Sequence, residues 1–224
     1  MVQVKNERRS KNNFEGQARP ATALRHQDLR EDLIRRAGEA IEAQGLAQLR
    51  ARDLAAQAGC ALGAIYNVFD GMDGLVLEVN ARTLRAIDAE MSRIAEPAPL
   101  AQLLALADAY LTYAVRHRLR WDALFNHRMP LGAVTPEWFL KTQDQAFSHI
   151  EAPLAQLRPD MKPGDCRLLG RSIFAAVHGM VALGVDKRLA PIELSALRSQ
   201  IATVVAAIVH GLAAVDLSVE RGDG

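Results

Sequence analysis

An all-α protein is predicted, and three observations predict it. Of the 224 residues, 67 are Ala or Leu, the strongest apolar helix formers. β-branched and aromatic residues are comparatively sparse, which excludes a large sheet. Apolar residues recur in steps of three and four along most of the chain, the period of one helical face.

The elements follow in order. Leu29, Leu33, Ala37, Ala40 and Ile41 mark a helix from Asp28 to Gln44, ended by Gly45. A short helix runs from Ala51 to Ala58 and stops at Gly59. A second, from Leu62 to Phe69, follows after three residues. Asp70-Gly71 is a turn signal, and Asp73 is a plausible cap for a helix reaching about Ile94. Pro97 and Pro99 mark a boundary. Leu100 to His117 is strongly periodic, a short helical piece covers Trp121–Phe125, and Pro130 to Pro136 reads as a loop. Helices resume over Glu137–Leu157, Asp165–Val185 and Ile192–Leu217, separated by Pro159, Pro163 and Gly164 and by a shorter break.

Charge and cysteine content narrow the function classes. Net charge is +1, but residues 1–25 hold six basic and two acidic residues, and the remainder is mildly acidic. The first 25 residues therefore form a basic arm, expected to be disordered and suited to a polyanion. Cys60 and Cys166 lie far apart, so neither a disulfide framework nor a zinc site is expected. No apolar core follows the basic start, as a secretory signal requires. The longest nearly apolar run, Ile201 to Val215, is too short to span a membrane. A cytoplasmic chain is expected. No nucleotide-binding, serine-hydrolase or metalloprotease motif occurs, so an enzyme is not expected, nor is a cofactor or a bound metal.

The two short helices carry the sharpest signal. Leu54, Ala55 and Ala58 bury the first, Gly59 turns the chain, and Ile65, Val68 and Phe69 bury the second. Packed on the preceding long helix, this is a helix-turn-helix layout. Leu54-Ala55, Ala58-Gly59, Gly63-Ala64-Ile65-Tyr66-Asn67-Val68-Phe69 and Leu75 resemble the TetR family of bacterial repressors over residues 28–80. Residues 116–125, Pro136-Glu137-Trp138 and Phe174 to Gly179 resemble one branch of it, whose C-terminal domain carries a His-Gly helix.

The resemblance implies a three-helix DNA-binding domain over 26–86. A larger helical ligand-binding and dimerisation domain is implied over 98–218. The expected function is that of a homodimeric repressor, released from a palindromic double-stranded operator by a small apolar ligand. The other reading is a helical ligand-binding or protein-interaction module with a weakened DNA-binding helix.

In the family, the second short helix enters the major groove by its N-terminal end. The resemblance then gives Gly63 close backbone approach, Tyr66 a phosphate contact, Asn67 an adenine or a phosphate, and Leu62 and Ala64 thymine methyls. Arg52 is expected near a base edge and Arg50 near the backbone. Four departures weaken the phosphate grip. Leu49, Arg50 and Ala51 stand where a Ser/Thr usually starts the first short helix. Ala61, Ala64 and Met72 replace the usual Ser, Thr and Lys, and no Lys or Arg occurs from Ala61 to Leu77. The arm, Arg50 and Arg52 are expected to compensate.

Seven of the eleven aromatic residues lie between Tyr110 and Phe147. A ligand pocket is expected there, lined by Tyr110, Tyr113, Trp121, Phe125, Trp138 and Phe147, with His178 adding a polar contact. The last two helices are more apolar than one small domain needs. Phe174, Val181, Ile201, Val205, Ile208, Val209 and Leu212 are expected at an isologous dimer interface.

Overall fold

The computed structural model describes residues 20–186 and 192–214. Among them every regular element is helical: α1 (Pro20–Gln44), α2 (Ala51–Gln57), α3 (Leu62–Val68), α4 (Gly71–Met91), α5 (Pro99–Arg116), α6 (Arg118–Asn126), α7 (Glu137–Leu157), α8 (Pro163–Val185) and α9 (Leu194–Ala214). A single 3₁₀ turn, Leu46–Gln48, joins α1 to α2. Of the expected basic arm, residues 1–19 lie outside the described residues, as does the stretch from 215 onward. Residues 20–25 belong to α1, which starts eight residues earlier than the apolar pattern indicates, at a proline suited to a first turn.

Two main cores organise the chain, beside a smaller cluster of Leu77, Ala81 and Leu84 of α4 with Phe139 of α7. In the first, Leu33, Ile34, Ala37 and Ile41 of α1 meet Leu54, Ile65, Phe69, Leu75 and Val79 from α2, α3 and α4. Ala123 of α6 is buried in the same cluster. In the second, Leu103, Leu106, Leu111 and Ala114 of α5 form the centre. Around them pack Ile87 and Met91 of α4, Trp121 of α6, Ile173, Val177 and Val181 of α8, and Leu197, Ile201, Val205 and Val209 of α9.

The two cores share α4 and α6, so no linker divides the protein. The first half of α4 completes one core and its second half the other. Polar contacts tie the same seam. Arg30 and Glu31 of α1 pair with Glu78 and Arg82 of α4. Asn80, buried on α4, donates through Nδ2 to the Ala123 carbonyl at 3.3 Å. Gly38 of α1 makes room for Arg120: a Cβ there would lie 2.8 Å from Nη2. Glu42 meets both His117 Nδ1 (3.0 Å) and Arg120 Nε (3.3 Å).

The structure inverts part of the expected dimer face. Val181, Ile201, Val205 and Val209 are each at most 5% exposed and point into their own protomer's core. Ile208 and Leu212 pack against that core, half-buried, and Phe174 joins an aromatic cluster inside the chain. The apolar period of a helix marks the face that its own chain buries. Outward on α8 stand Leu168, Ser172, Ala175, Ala176 and Leu183, and on α9 Ala196, Ser199, Thr203, Ala207 and His210. Both helices are long and apolar enough, by length and composition, to cross a membrane, contrary to the expectation from uninterrupted runs. Only 28% and 22% of their apolar windows are buried within the chain.

Candidate nucleic-acid interface and cavity

The helix-turn-helix is built by a tight glycine turn. Gly59 adopts φ +63°, a region open to glycine at little cost. Its N–H reaches the Ala56 carbonyl (3.2 Å) and that of Cys60 reaches Ala55 (3.0 Å), closing α2 with paired reverse bonds. Arg50 and Ala61 occupy the N-caps of α2 and α3, and neither caps its helix with a side chain. Arg30 lies over the Phe69 ring at 5.4 Å while pairing with Glu78, which fixes the end of α3 against α1 and α4.

Leu62, Gly63, Tyr66 and Asn67 share the exposed face of α3, with Tyr66 52% exposed, and Ala64 is half-buried beside them. Arg52 is exposed on the first turn of α2 and makes no ion pair among the described residues. Arg50 differs: its Nη1 donates to the Ala47 (2.7 Å) and Leu49 (3.1 Å) carbonyls, holding the guanidinium against the preceding loop.

The second core encloses a cavity of about 140 Å³. Its walls come from α4, α5, α6, α7, α8 and α9, and Leu84, Ile87, Leu106, Phe125, Phe147 and Phe174 are typical of them. Only Gln143 and His149 bring polar side chains of any reach beside the Tyr110 hydroxyl. His149 Nε2 lies 2.7 Å from Asp88 Oδ1 on α4. Similarly, His127 Nε2 lies 2.9 Å from Asp73 Oδ1, at the α4 turn that follows α3.

Of the expected ligand contacts, Tyr110, Phe125 and Phe147 line this cavity. Four others stand elsewhere. Tyr113 is 2% exposed and packs on His117 with ring centroids 4.8 Å apart, its hydroxyl pushed up to about 12 mainly by burial. Trp138 sits exposed at the start of α7, edge-on to Phe139. Trp121 and His178 form a buttress behind the cavity. Trp121 Nε1 donates to the Tyr110 hydroxyl at 2.9 Å, and that hydroxyl lies 2.8 Å from His178 Nδ1.

The tryptophan N–H only donates, and the proton of this buried hydroxyl has no acceptor but His178 Nδ1 among the described residues, so the hydroxyl donates to that nitrogen. The imidazole is therefore neutral, with its proton on Nε2. Phe125, Phe174 and Trp121 surround it at centroid distances of 4.2, 5.6 and 5.2 Å. His149 is one of four histidines, with His117, His127 and His178, that the sequence offers as polar contacts, whereas Phe174 as a wall residue, Gln143 and the aliphatic walls escaped sequence reasoning. They converge from separate helices, and no local pattern announces that.

Burial holds His178 below the ordinary histidine range, so the unfolded chain takes up this proton first as pH falls. Stability present above about pH 6.5 is then lost as pH drops toward the lowered native value. Thermal melts from pH 8 to 5 are expected to show this loss. His178→Gln, whose carbonyl still accepts from Tyr110, is expected to melt with a flatter pH profile. An identical profile in the variant would rule the assignment out.

Among the described residues no group of three or more His, Cys, Asp or Glu side chains is placed to hold a metal ion.

Comparison with known proteins gives a consistent picture. A family model described as bacterial regulatory proteins, tetR family, matches residues 33–79. One described as tetracyclin repressor-like, C-terminal domain, matches 103–203. An HTH-type transcriptional regulator of Mycobacterium tuberculosis is 30% identical over 167 residues, 74% of this chain and 72% of the relative.

Among solved structures, a Rhodococcus protein of unknown function aligns with TM-score 0.65 at 21% identity, covering 82% of this chain and 94% of that one. A tetR-family transcriptional regulator from Streptomyces coelicolor aligns at 0.61 and 20% identity, covering 84% and 82%. The regulator FadR from Bacillus subtilis, in complex with stearoyl-CoA, aligns at 0.58 and 17% identity, covering 78% and 96%.

Proposed function

This chain belongs to the tetR family of bacterial regulatory proteins, helix-turn-helix DNA-binding transcription regulators without enzymatic activity, and on that premise we propose that it is a cytoplasmic homodimeric repressor released by a small apolar molecule. The observation that carries the reading is the double membership of α4 and α6. Leu75 and Val79 of α4 help hold α3, and Leu84 and Ile87, two turns further on, line the cavity. Ala123 of α6 sits in the first core, while its neighbours Leu124 and Phe125 line the cavity. A molecule that reshapes the cavity wall thereby moves the frame on which α3 is mounted. Release requires tighter binding to the displaced conformation, typically by about 1–3 kcal/mol of coupling.

The face presented to the operator is Leu62, Gly63, Tyr66 and Asn67 with Ala64 at its edge and Arg52 beside it. Arg50 serves chiefly to order the loop before α2. The arm over residues 1–25, or its part ahead of α1, supplies the phosphate attraction that α3 lacks. Two protomers pair through the outward faces of α8 and α9, whose Ala, Gly, Ser and Thr residues let helices approach closely. The pairing sets two copies of α3 for the half-sites of a palindrome.

A gel-shift titration with the DNA upstream of its own coding region tests the proposal. Retardation at low salt is expected from the full chain, and none at any concentration overturns it. Tyr66→Phe removes one hydroxyl and nothing of the fold. It is expected to weaken binding about fivefold, the value of roughly one hydrogen bond to phosphate. Unchanged affinity would remove Tyr66 from the contact face.

A further inference from the structure

The chemical class of the molecule that fills the cavity follows from its size and from the acceptor that His149 brings to its wall, and this inference rests on the effector-cavity reading above. The cavity measures about 140 Å³. An apolar protein cavity of about 150 Å³ accommodates a benzene ring. Phe125, Phe147 and Phe174 border the space, and aromatic walls offer edge and face contacts to another ring.

His149 sets the polarity. A carboxylate only accepts, so Asp88 Oδ1, 2.7 Å from Nε2, takes the proton on that nitrogen. In the neutral imidazole Nδ1 is then a bare lone pair on a side chain that lines the cavity, and no hydrogen bond to Nδ1 occurs among the described residues. An acceptor in a wall that is otherwise mostly apolar favours a guest that donates.

We propose that the effector is a single-ring aromatic alcohol of phenolic type, its ring in the apolar cavity and its O–H donating to His149 Nδ1. Asp88 is the positioning residue: it holds the tautomer that makes Nδ1 an acceptor. Because Asp88 lies on α4, a guest that engages His149 also bears on the helix that carries the helix-turn-helix.

Calorimetric titration of the full chain at pH 8 with p-cresol and p-xylene tests this, since the two differ only by hydroxyl against methyl. The p-cresol is expected to bind at least about tenfold more tightly, because a site built to receive a hydroxyl discriminates against its absence. His149→Phe is expected to retain p-xylene and lose the preference, and Asp88→Asn to reduce it. Equal affinities, or tighter p-xylene, in the unmodified chain overturn the hydroxyl assignment and leave the effector cavity standing. Binding of neither overturns both.

Discussion

Gly179→Arg is expected to convert the protein to a folded monomer that has lost operator binding. A Cβ at Gly179 meets nothing within 4 Å in its own chain, so the new side chain has room to extend outward from α8. Arginine is also a better helix former than glycine by about 0.7–1 kcal/mol, so the helix itself is not weakened. What suffers is the opposed surface. A guanidinium placed among Ala175, Ala176 and the matching residues of a second copy meets its own symmetry mate, doubling the charge at a close helix crossing.

Without the dimer each protomer reaches only one half-site, forfeiting an avidity of about 10²- to 10⁴-fold. Light scattering behind size exclusion reads the mass, circular dichroism the fold, and a gel shift the affinity. A dimeric Gly179→Arg with native affinity would place the interface elsewhere. Val181→Arg makes the instructive contrast: Val181 is fully buried in its own protomer, and that variant is expected to unfold rather than dissociate.

Ala123→Leu is expected to release the operator without any effector. Ala123 is 0% exposed between α6 and the α1–α4 frame, and its carbonyl receives the Asn80 amide. The larger side chain must push α6 off that frame, at a cost of about 1–3 kcal/mol. For a chain of this length the melting temperature falls by about 2–4 °C for each kcal/mol. The displacement starts from the helix that an effector would displace from its other side, and α3 is felt to shift through Leu75 and Val79. Operator affinity is expected to drop about tenfold or more, with helix content retained. Native affinity in a destabilised variant would show that α6 does not transmit to α3.

Much of this was legible in the sequence, and the exceptions share a cause. The helix-turn-helix is contiguous, so Leu54, Gly59, Ile65 and Phe69 declare themselves by spacing alone, and the exposed set around Tyr66 follows by subtraction. Helix boundaries for α4 to α8 fall within three residues of their expected places because Pro and Gly punctuate them. The cavity is another matter. It is assembled from six helices with a mostly aliphatic lining, and aromatic density, which does mark Tyr110, Phe125 and Phe147, points equally at Tyr113 and Trp138, which stand outside it.

Val181, Ile201, Val205 and Val209, expected at a dimer face, turn inward for a related reason. Hydrophobic periodicity reports what a helix buries against its own chain, whereas the outward faces of α8 and α9 mix Ala, Ser and Thr with Leu168, Leu183 and His210 and carry no such period. Arg50 illustrates a third case: its residue type suits DNA, but the nearest acceptors are the carbonyls of its own loop.

The continuity of α4 has a consequence for cooperativity. A helix that is structural wall to both cores cannot melt in one and persist in the other, because losing either set of contacts leaves the remaining half-helix too short to hold itself. The halves therefore unfold together, as one thermodynamic unit rather than as two beads on a string. Any molecule that tightens the far core also insures the DNA-reading end against local opening. In the proposed mechanism occupancy and durability are thus linked: a liganded state displaced from DNA is expected to be the sturdier one and the better able to outlast heat and proteases.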